Sequence, residues 1–176
     1  LAFSLYLVPG LLGASLGIWD AWLPPKKATD VSVVATIAQN SHGSTADNPD
    51  GDWASNLDTA RKAAAEKREP VFIDFTGYTC TNCRAMESNV FSLNQVKQRF
   101  QKFRLVRLYT DDGTDGPKNQ LYQFNLTGTV ALPTYAIIDP QNGHLINMIS
   151  GYTEPKAFIK FLDRGLKLFS ENNQEG

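Results

Sequence analysis

The chain has 176 residues, of which 42% are hydrophobic, and its 17 Lys and Arg against 18 Asp and Glu leave a formal charge of -1 at pH 7. Ten Phe, six Tyr and three Trp exclude a wholly disordered chain, and the near-neutral charge disfavours a nucleic-acid partner bound through bulk positive charge. Two cysteines are too few for a disulfide-dense secreted scaffold or a four-cysteine zinc site.

Residues 1–25 predict the end of a transmembrane segment. No charge interrupts the run from Leu1 to Trp19, and a charge-free run of this length can cross most of a bilayer as a helix. Two tryptophans and a Pro-Pro pair end the segment, as is typical of a membrane–water interface. A signal peptide is disfavoured because the apolar run has no basic region before it. A buried core helix is disfavoured because Pro9-Gly10 would kink it, so we expect the chain to be part of a longer membrane protein.

Residues 26–52 have the composition of a flexible linker. After Val31–Ala38 the segment is rich in Asn, Ser, Gly, Asp and Thr, and it contains no aromatic residue before Trp53. From Trp53 the pattern becomes that of a globular domain, which we expect to extend over 53–171 and to leave 172–176 as a tail.

The globular region predicts alternating helices and strands. Residues 56–68 are rich in strong helix formers and stop before Pro70, whereas 71–75 are almost continuously apolar, as expected of a central strand covered on both faces. A second helix is predicted directly after Cys80, and further helices are predicted over 93–103, 117–124 and 155–169. The remaining predicted strands cover 105–109, 134–138 and 145–149. The last two strands are joined by a hairpin turn, Pro140-Gln-Asn-Gly143. This order predicts an α/β layer sandwich.

The two cysteines form a Cys80-Thr-Asn-Cys83 motif that predicts redox chemistry. A disulfide that closes so short a loop adds little stability, so the pair is better suited to reaction than to architecture. At the start of a helix, free N–H groups and the helix dipole would stabilise a Cys80 thiolate. Cys80 would then attack or be attacked, and Cys83, facing the core one turn later, would resolve the mixed disulfide. The histidines, His42 and His144, lie in the linker and the hairpin turn, so we expect no metal or other cofactor.

Two acidic residues are candidates for a role beside the cysteines. Asp74 interrupts an apolar strand, where burial would raise its pKa and let it exchange a proton with Cys83. The alternative is a solvated aspartate or one paired with a base such as Arg107. Glu87 shares a helix face with both cysteines, where it could tune the thiol pKa values or simply remain solvated.

Leu132 and Pro133 are candidates for substrate binding. Proline cannot donate to a sheet ladder, so Pro133 is well placed at the start of the predicted strand over 134–138. A cis Leu132–Pro133 bond would leave nearby backbone groups available to an incoming peptide, although cis bonds are uncommon even before proline.

Taken together, these residues resemble the thioredoxin superfamily. The resemblance rests on Phe72-Ile-Asp74-Phe75, the cysteine motif, Leu132-Pro133-Thr134, and Gly151 after the hairpin. It implies a thioredoxin-like fold in which a central mixed sheet is flanked by helices. It also implies a nucleophilic Cys80, a resolving Cys83, a buried Asp74 and a cis-Pro133.

The chain more closely resembles the C-terminal domain of DsbD-type thiol:disulfide interchange proteins. Leu5-Tyr-Leu-Val-Pro-Gly10 is similar to the last transmembrane stretch of that family, and 74–87 to its active site, in which the position of Glu87 is acidic. The resemblance implies a protein-disulfide reductase at the bacterial inner membrane, with its thioredoxin-like domain on the periplasmic side. Its electrons would come from a membrane electron-transfer domain of the same protein and pass to periplasmic disulfide-bearing proteins of thioredoxin-like or isomerase type. Thr79 and Thr81-Asn82 depart from thioredoxin, so its reduction potential and partner contacts do not carry over.

Two other functions fit the same motif. One is a stand-alone, membrane-anchored thioredoxin-like reductant that serves cytochrome c maturation. The other is a Cu(I)-binding module with Cys80 and Cys83 as soft ligands, which is disfavoured because no Met or His lies just before Cys80.

Overall fold

The computed structural model describes residues 52–173. The expected transmembrane end, the expected linker up to residue 51, and residues 174–176 lie outside the described residues. Within 52–173, no helix combines the length and the apolar character that crossing a membrane requires.

Helices and strands alternate along the described chain. The helices are α1 (Leu57–Lys67), α2 (Thr81–Met86), α3 (Asn94–Phe100), α4 (Gly116–Thr127) and α5 (Pro155–Asn172), with a π-helical turn (Glu87–Phe91) between α2 and α3. The strands are β1 (Val71–Thr76), β2 (Arg104–Tyr109), β3 (Thr134–Ile138) and β4 (Leu145–Ser150). The predicted elements are all present, with small differences at their ends.

Within the described residues, the strands form one mixed sheet in the order β2-β1-β3-β4. β1 runs parallel to β2 and antiparallel to β3, and β3 forms an antiparallel hairpin with β4. β1 is central and buried along its whole length, as its apolar run predicts. Its one charged residue, Asp74, lies opposite Arg107 on β2 and Tyr135 on β3, so these three side chains share one face of the sheet.

The two faces of the sheet carry different cores. The face of Asp74 packs against α3, α5 and the π-helical turn through a largely aromatic cluster, which includes Phe72, Phe91, Phe100, Tyr135 and Phe158. The opposite face packs against α1 and α4 through smaller side chains, which include Ala60, Ala64, Val71, Ile73 and Val106. Burial of this apolar surface is the main favourable contribution to folding. The α/β sandwich predicted from the element order is confirmed.

The segment after the cysteines is less regular than the sequence predicts. α2 ends at Met86, and the wider π-helical turn that follows lets Val90 and Phe91 both enter the aromatic core. α3 then ends at Phe100, so the helix predicted over 93–103 is too long. Phe103 reaches the core from a turn in which its N–H donates to the carbonyl of Phe100 at 3.0 Å.

A short bridge beside β2 positions the start of the domain. Ala54 pairs in parallel with Val106; its N–H donates to Leu105 at 3.0 Å, and its carbonyl accepts from the N–H of Arg107 at 2.9 Å. Trp53 is thereby brought against Arg107, whose guanidinium carbon lies 4.3 Å from the centre of the indole ring. The sequence predicted that the domain begins at Trp53 but not this pairing.

Candidate active site

The two cysteines lie where the chain passes from β1 to α2. They are joined in a disulfide, and their Cα atoms are 5.3 Å apart. Cys80 is the N-cap residue of α2, and its sulfur accepts a hydrogen bond from the backbone N–H of Cys83 at 3.2 Å. Cys80 is partly exposed, whereas Cys83 is buried. The pair therefore presents one sulfur toward solvent at a helix start and keeps the other in the core.

Asp74 is buried and paired at the same time. Its Oδ2 accepts a hydrogen bond from Nε of Arg107 at 2.9 Å, while Oδ1 accepts no hydrogen bond from the described residues. Burial raises the pKa of Asp74 above its ordinary value, although the charge of Arg107 opposes the shift. For Arg107, burial acts against the charged form, but Asp74 and Glu87 outweigh it and raise the pKa of Arg107. From the sequence, a buried Asp74 and an Asp74 paired with Arg107 were alternatives. In the structure Asp74 is both buried and paired with Arg107.

Glu87 contacts two arginines. Its Oε2 lies 2.8 Å from Nη1 of Arg84, and its Oε1 lies 3.5 Å from Nη2 of Arg107. The side chain of Arg84 is 6% exposed and that of Glu87 24% exposed, so both charges are removed from most of the solvent. Asp74, Arg84, Glu87 and Arg107 form a charge cluster between the sheet and the helix that carries Cys83.

A carboxylate that follows β2 holds the loop before Cys80. Asp111 accepts hydrogen bonds from the backbone N–H groups of Tyr78 at 2.9 Å and Thr79 at 3.2 Å, and from the hydroxyl of Thr79 at 3.3 Å. A Cβ on Gly77 would lie 2.9 Å from Oδ2 of Asp111, so the close approach of the two loops favours glycine there. Since β1 and β2 are parallel, their carboxyl ends meet at one edge of the sheet and bring these loops together.

The loop before β3 contributes the other side of the site. The Leu132–Pro133 bond is cis. Leu132 lies beside the loop before Cys80, because a Cβ on Gly77 would be 3.1 Å from its Cδ1. The carbonyl of Pro133 accepts a hydrogen bond from the N–H of Gly151 at 2.7 Å, which joins this loop to the end of β4.

Exposed apolar side chains flank these loops. Tyr78, Val130 and Tyr152, here called the apolar rim, are 40%, 50% and 44% exposed. The ring of Tyr78 is stacked on that of Tyr109, with 4.0 Å between centroids, so it is held in place while it faces solvent. The rim provides uncharged surface on which the backbone of a protein partner could lie.

The sequence predicted a site made of the cysteines, Asp74, Glu87 and the proline loop, and it pointed to neither Arg84 nor Asp111. A signal for Arg84 was its spacing from Glu87, since residues three apart on a helix can pair. A signal for Asp111 was its place just after a strand that would lie parallel to the one before Cys80. Among the described residues, no group of three or more His, Cys, Asp or Glu could hold a metal ion.

A redox-capable cysteine pair at a helix start, set on a mixed sheet beside a cis-proline loop, defines a thiol:disulfide oxidoreductase domain of the thioredoxin type. The family model described as thioredoxin-like matches residues 52–140, about half of the sequence, and the chain belongs to that family. The resemblance inferred from the motifs is thereby confirmed.

The relatives of this chain include DsbD proteins. It is 28% identical over 132 residues to the thiol:disulfide interchange protein DsbD 2 of Pseudomonas aeruginosa. The aligned residues make up 74% of this chain and 22% of the relative. It is 20% identical over 112 residues to the thiol:disulfide interchange protein DsbD of Campylobacter jejuni. Here the aligned residues make up 64% of this chain and 19% of the relative. The chain thus matches only about a fifth of the length of these relatives.

A solved structure has the same fold. The DsbD C-terminal domain of Neisseria meningitidis in its oxidised form matches with a TM-score of 0.52 at 17% sequence identity. The match covers 65% of this chain and 99% of that domain. That domain and this chain therefore share the thioredoxin-like fold.

Proposed function

We propose that this domain passes reducing equivalents from a membrane electron-transfer domain of the same protein to disulfide-bearing partners in the periplasm. The observation that carries the proposal is the unequal exposure of the cysteines, since Cys80 is partly exposed at a helix start and Cys83 is buried. Similarity to DsbD proteins and the apolar segment expected over 1–25 support a site at the inner membrane, with the domain on its periplasmic side.

The reaction is a two-step disulfide exchange. In the reduced domain the Cys80 thiolate attacks one sulfur of the partner disulfide, which forms a mixed disulfide and releases the other partner sulfur as a thiolate. Cys83 then attacks the Cys80 sulfur, which closes the Cys80–Cys83 disulfide and releases the second partner sulfur. Two electrons pass to the partner, and its two thiolates take up the two protons that the domain dithiol loses. Reduction from the membrane side reverses these steps and restores the dithiol.

Asp74 is the proposed proton acceptor for Cys83. It lies on the sheet face that packs against α2, because Arg84 of α2 reaches the next residue on that face, Thr76. Burial raises its pKa toward the range in which a carboxylate can accept a proton from a thiol near neutral pH. Glu87 is proposed to tune the thiol pKa values from the same cluster, and its contacts with Arg84 and Arg107 limit the repulsion that it would otherwise exert.

The partner is proposed to bind between the loop before Cys80 and the loop of Leu132 and Pro133. The apolar rim borders these loops with uncharged surface, which suits a partner whose disulfide lies in a locally apolar, extended segment. The closeness of Leu132 to Gly77, in the loop before Cys80, supports this placement.

Mixed-disulfide trapping tests the proposal. Reduced Cys83→Ser protein should capture a disulfide-bearing partner covalently, because the partly exposed Cys80 can attack but no second thiol resolves the product. The matched Cys80→Ser protein keeps one thiol as well, but that thiol is buried and should capture almost none. Equal capture by the two variants would contradict the assigned roles, and capture by neither would contradict the proposed activity.

A further inference from the structure

Arg84 connects the first turn of α2 back to the end of β1. Its Nη2 donates to Oγ1 of Thr76 at 3.0 Å and lies 3.5 Å from the carbonyl oxygen of Gly77. That same carbonyl accepts the backbone N–H of Cys80 at 3.2 Å. The guanidinium of the residue after Cys83 therefore shares one acceptor with the backbone of Cys80.

These contacts close a ring that does not depend on the disulfide. From Gly77 the chain runs through Cys80 and Cys83 to Arg84, whose side chain returns to Gly77 and Thr76. A second tie crosses the ring, since the N–H of Arg84 donates to the carbonyl of Cys80 at 3.2 Å. None of these contacts uses a cysteine sulfur, so opening the disulfide removes none of their donors or acceptors.

The other side of the guanidinium is also fixed. Nη1 of Arg84 lies 2.8 Å from Oε2 of Glu87, and Arg84 is buried as a whole residue. The planar guanidinium is therefore held at Nη2 by the end of β1 and at Nη1 by Glu87, and it cannot easily leave one of these partners while it stays bound to the other. The lysine ammonium has three N–H donors but only one nitrogen, so it could not occupy the separate positions of Nη1 and Nη2.

We infer that Arg84 is a positioning residue that keeps Cys80 and Cys83 in place for ring closure when the pair is in the dithiol form. The inference rests on the proposed function, because it requires that the pair cycle between dithiol and disulfide. Without Arg84 the dithiol gains conformational freedom that disulfide formation must remove again. The tendency of the pair to close therefore falls, and the resolving step of the exchange slows with it.

A purely electrostatic role for Arg84 predicts the opposite result. The charged or titratable groups around it are Asp74 on β1, Arg107 and Tyr109 on β2, Glu87 on the π-helical turn, and the cysteine thiols themselves. If Arg84 acted only by stabilising a thiolate, its removal would disfavour the dithiol at alkaline pH and make the disulfide relatively more stable. Lysine would then replace it without loss.

The test is the equilibrium of the full chain with glutathione. The reaction converts the protein dithiol and one oxidised glutathione into the protein disulfide and two reduced glutathione molecules, so two electrons and two protons are transferred. For Arg84→Met and Arg84→Lys we expect the equilibrium constant for disulfide formation to fall roughly tenfold at pH 6 and at pH 8, since a hydrogen bond to a charged group is worth a factor of this order. For a two-electron couple, tenfold corresponds to about 30 mV.

Two further variants complete the test. Arg99→Met removes an arginine that pairs with Asp163 on the exposed surface, and it should leave the equilibrium constant unchanged. Thr76→Val removes only the hydroxyl to which Arg84 donates. It should lower the equilibrium constant for disulfide formation by a smaller factor than the Arg84 variants do. If the Arg84 variants do not fold, Thr76→Val alone tests the inference. In the Arg84→Met background, Thr76→Val should add nothing.

Wild-type behaviour of Arg84→Lys, or a rise in the constant for Arg84→Met, would overturn the inference. So would additive effects of Thr76→Val and Arg84→Met. These results are separate from the trapping experiment: normal trapping with unaltered equilibria would refute the inference alone. A failed trapping experiment with the expected tenfold change would refute the proposed reductase role alone.

Discussion

Replacing Asp74 by asparagine should make the protein more stable at neutral pH and less active. The carboxyl group is buried on the central strand, and its folded-state pKa is raised by burial above the ordinary value of 3.8. An acid with a raised pKa binds protons more tightly in the folded than in the unfolded state. The ionised form of Asp74 therefore destabilises the fold, and this cost develops as the pH rises from about 3.8 through the raised pKa.

The size of the effect follows from the surroundings of Asp74. Oδ1 is buried without a hydrogen-bond partner among the described residues, and Asp74→Asn places an amide there that is also unpartnered, at about 1–3 kcal/mol. An ionised group left in this position costs several kcal/mol, so removing the charge gains the difference, about 2–3 kcal/mol. The asparagine carbonyl can still accept from Nε of Arg107, so only the charged part of that 2.9 Å contact is lost, at about 1 kcal/mol. Arg107 also keeps its contacts with Glu87 and Trp53. We expect a net gain of about 1–2 kcal/mol at pH 7.

Urea unfolding of the oxidised protein, followed by circular dichroism at pH 3.5 and pH 7, measures this gain. The advantage of Asp74→Asn over wild type should be present at pH 7 and much smaller at pH 3.5, which lies below both the ordinary pKa of 3.8 and the raised pKa of the folded state, so that Asp74 is mostly protonated in both states. Asp163→Asn, a surface substitution, should show no such gain. A variant less stable than wild type at pH 7, or an advantage that grows as the pH falls, would refute the reasoning.

The same variant should resolve mixed disulfides more slowly at neutral pH, because asparagine cannot accept the proton of Cys83. Stopped-flow reduction of a disulfide partner between pH 6 and pH 9 measures this directly. Rates equal to wild type across that range would remove Asp74 from the mechanism. If Asp74→Asn is both more stable and less active than wild type, then Asp74 lowers the stability of the fold and is needed for activity.

Three further substitutions test the packing and the loop before Cys80. Gly165→Ala should lower the free energy of unfolding by about 1–3 kcal/mol in a urea titration, because the new Cβ would collide with Cδ1 of Ile137. Adding Ile137→Val removes that methyl group and should recover most of the lost stability. Phe158→Ala should cost about 3–5 kcal/mol, since its ring packs among other aromatic rings of the buried core, and a loss near zero would contradict that packing. Asp111→Ala should slow reduction of a protein disulfide several-fold by releasing residues 78–79, and should cost no more than about 2 kcal/mol in a urea titration. Unchanged rates would show that this loop keeps its shape without the carboxylate.

Much of the fold could be predicted because its signals are local. The apolar run over 71–75 is what a strand buried on both faces requires, and the helix formers over 56–68 stop at a proline. Asn56 caps the resulting helix by accepting from the N–H of Thr59 at 2.9 Å, a contact between neighbours in sequence. The π-helical turn could not be predicted, because it depends on how Val90 and Phe91 fit the aromatic core and not on their own preferences.

For the site, the sequence by itself determined the chemistry, whereas the tertiary structure decided its electrostatic setting. Two cysteines three residues apart at the start of a helix are a local feature, so the motif was sufficient to predict redox activity. The pairing of Asp74 with Arg107 joins residues 33 positions apart, as does the contact of Asp111 with Tyr78. Both contacts exist because β1 and β2 are parallel neighbours, and no local pattern encodes which strand lies beside which. The surroundings of Arg84 depend on the same arrangement, since Glu87, which lies 2.8 Å from Arg84, also contacts Arg107 on β2.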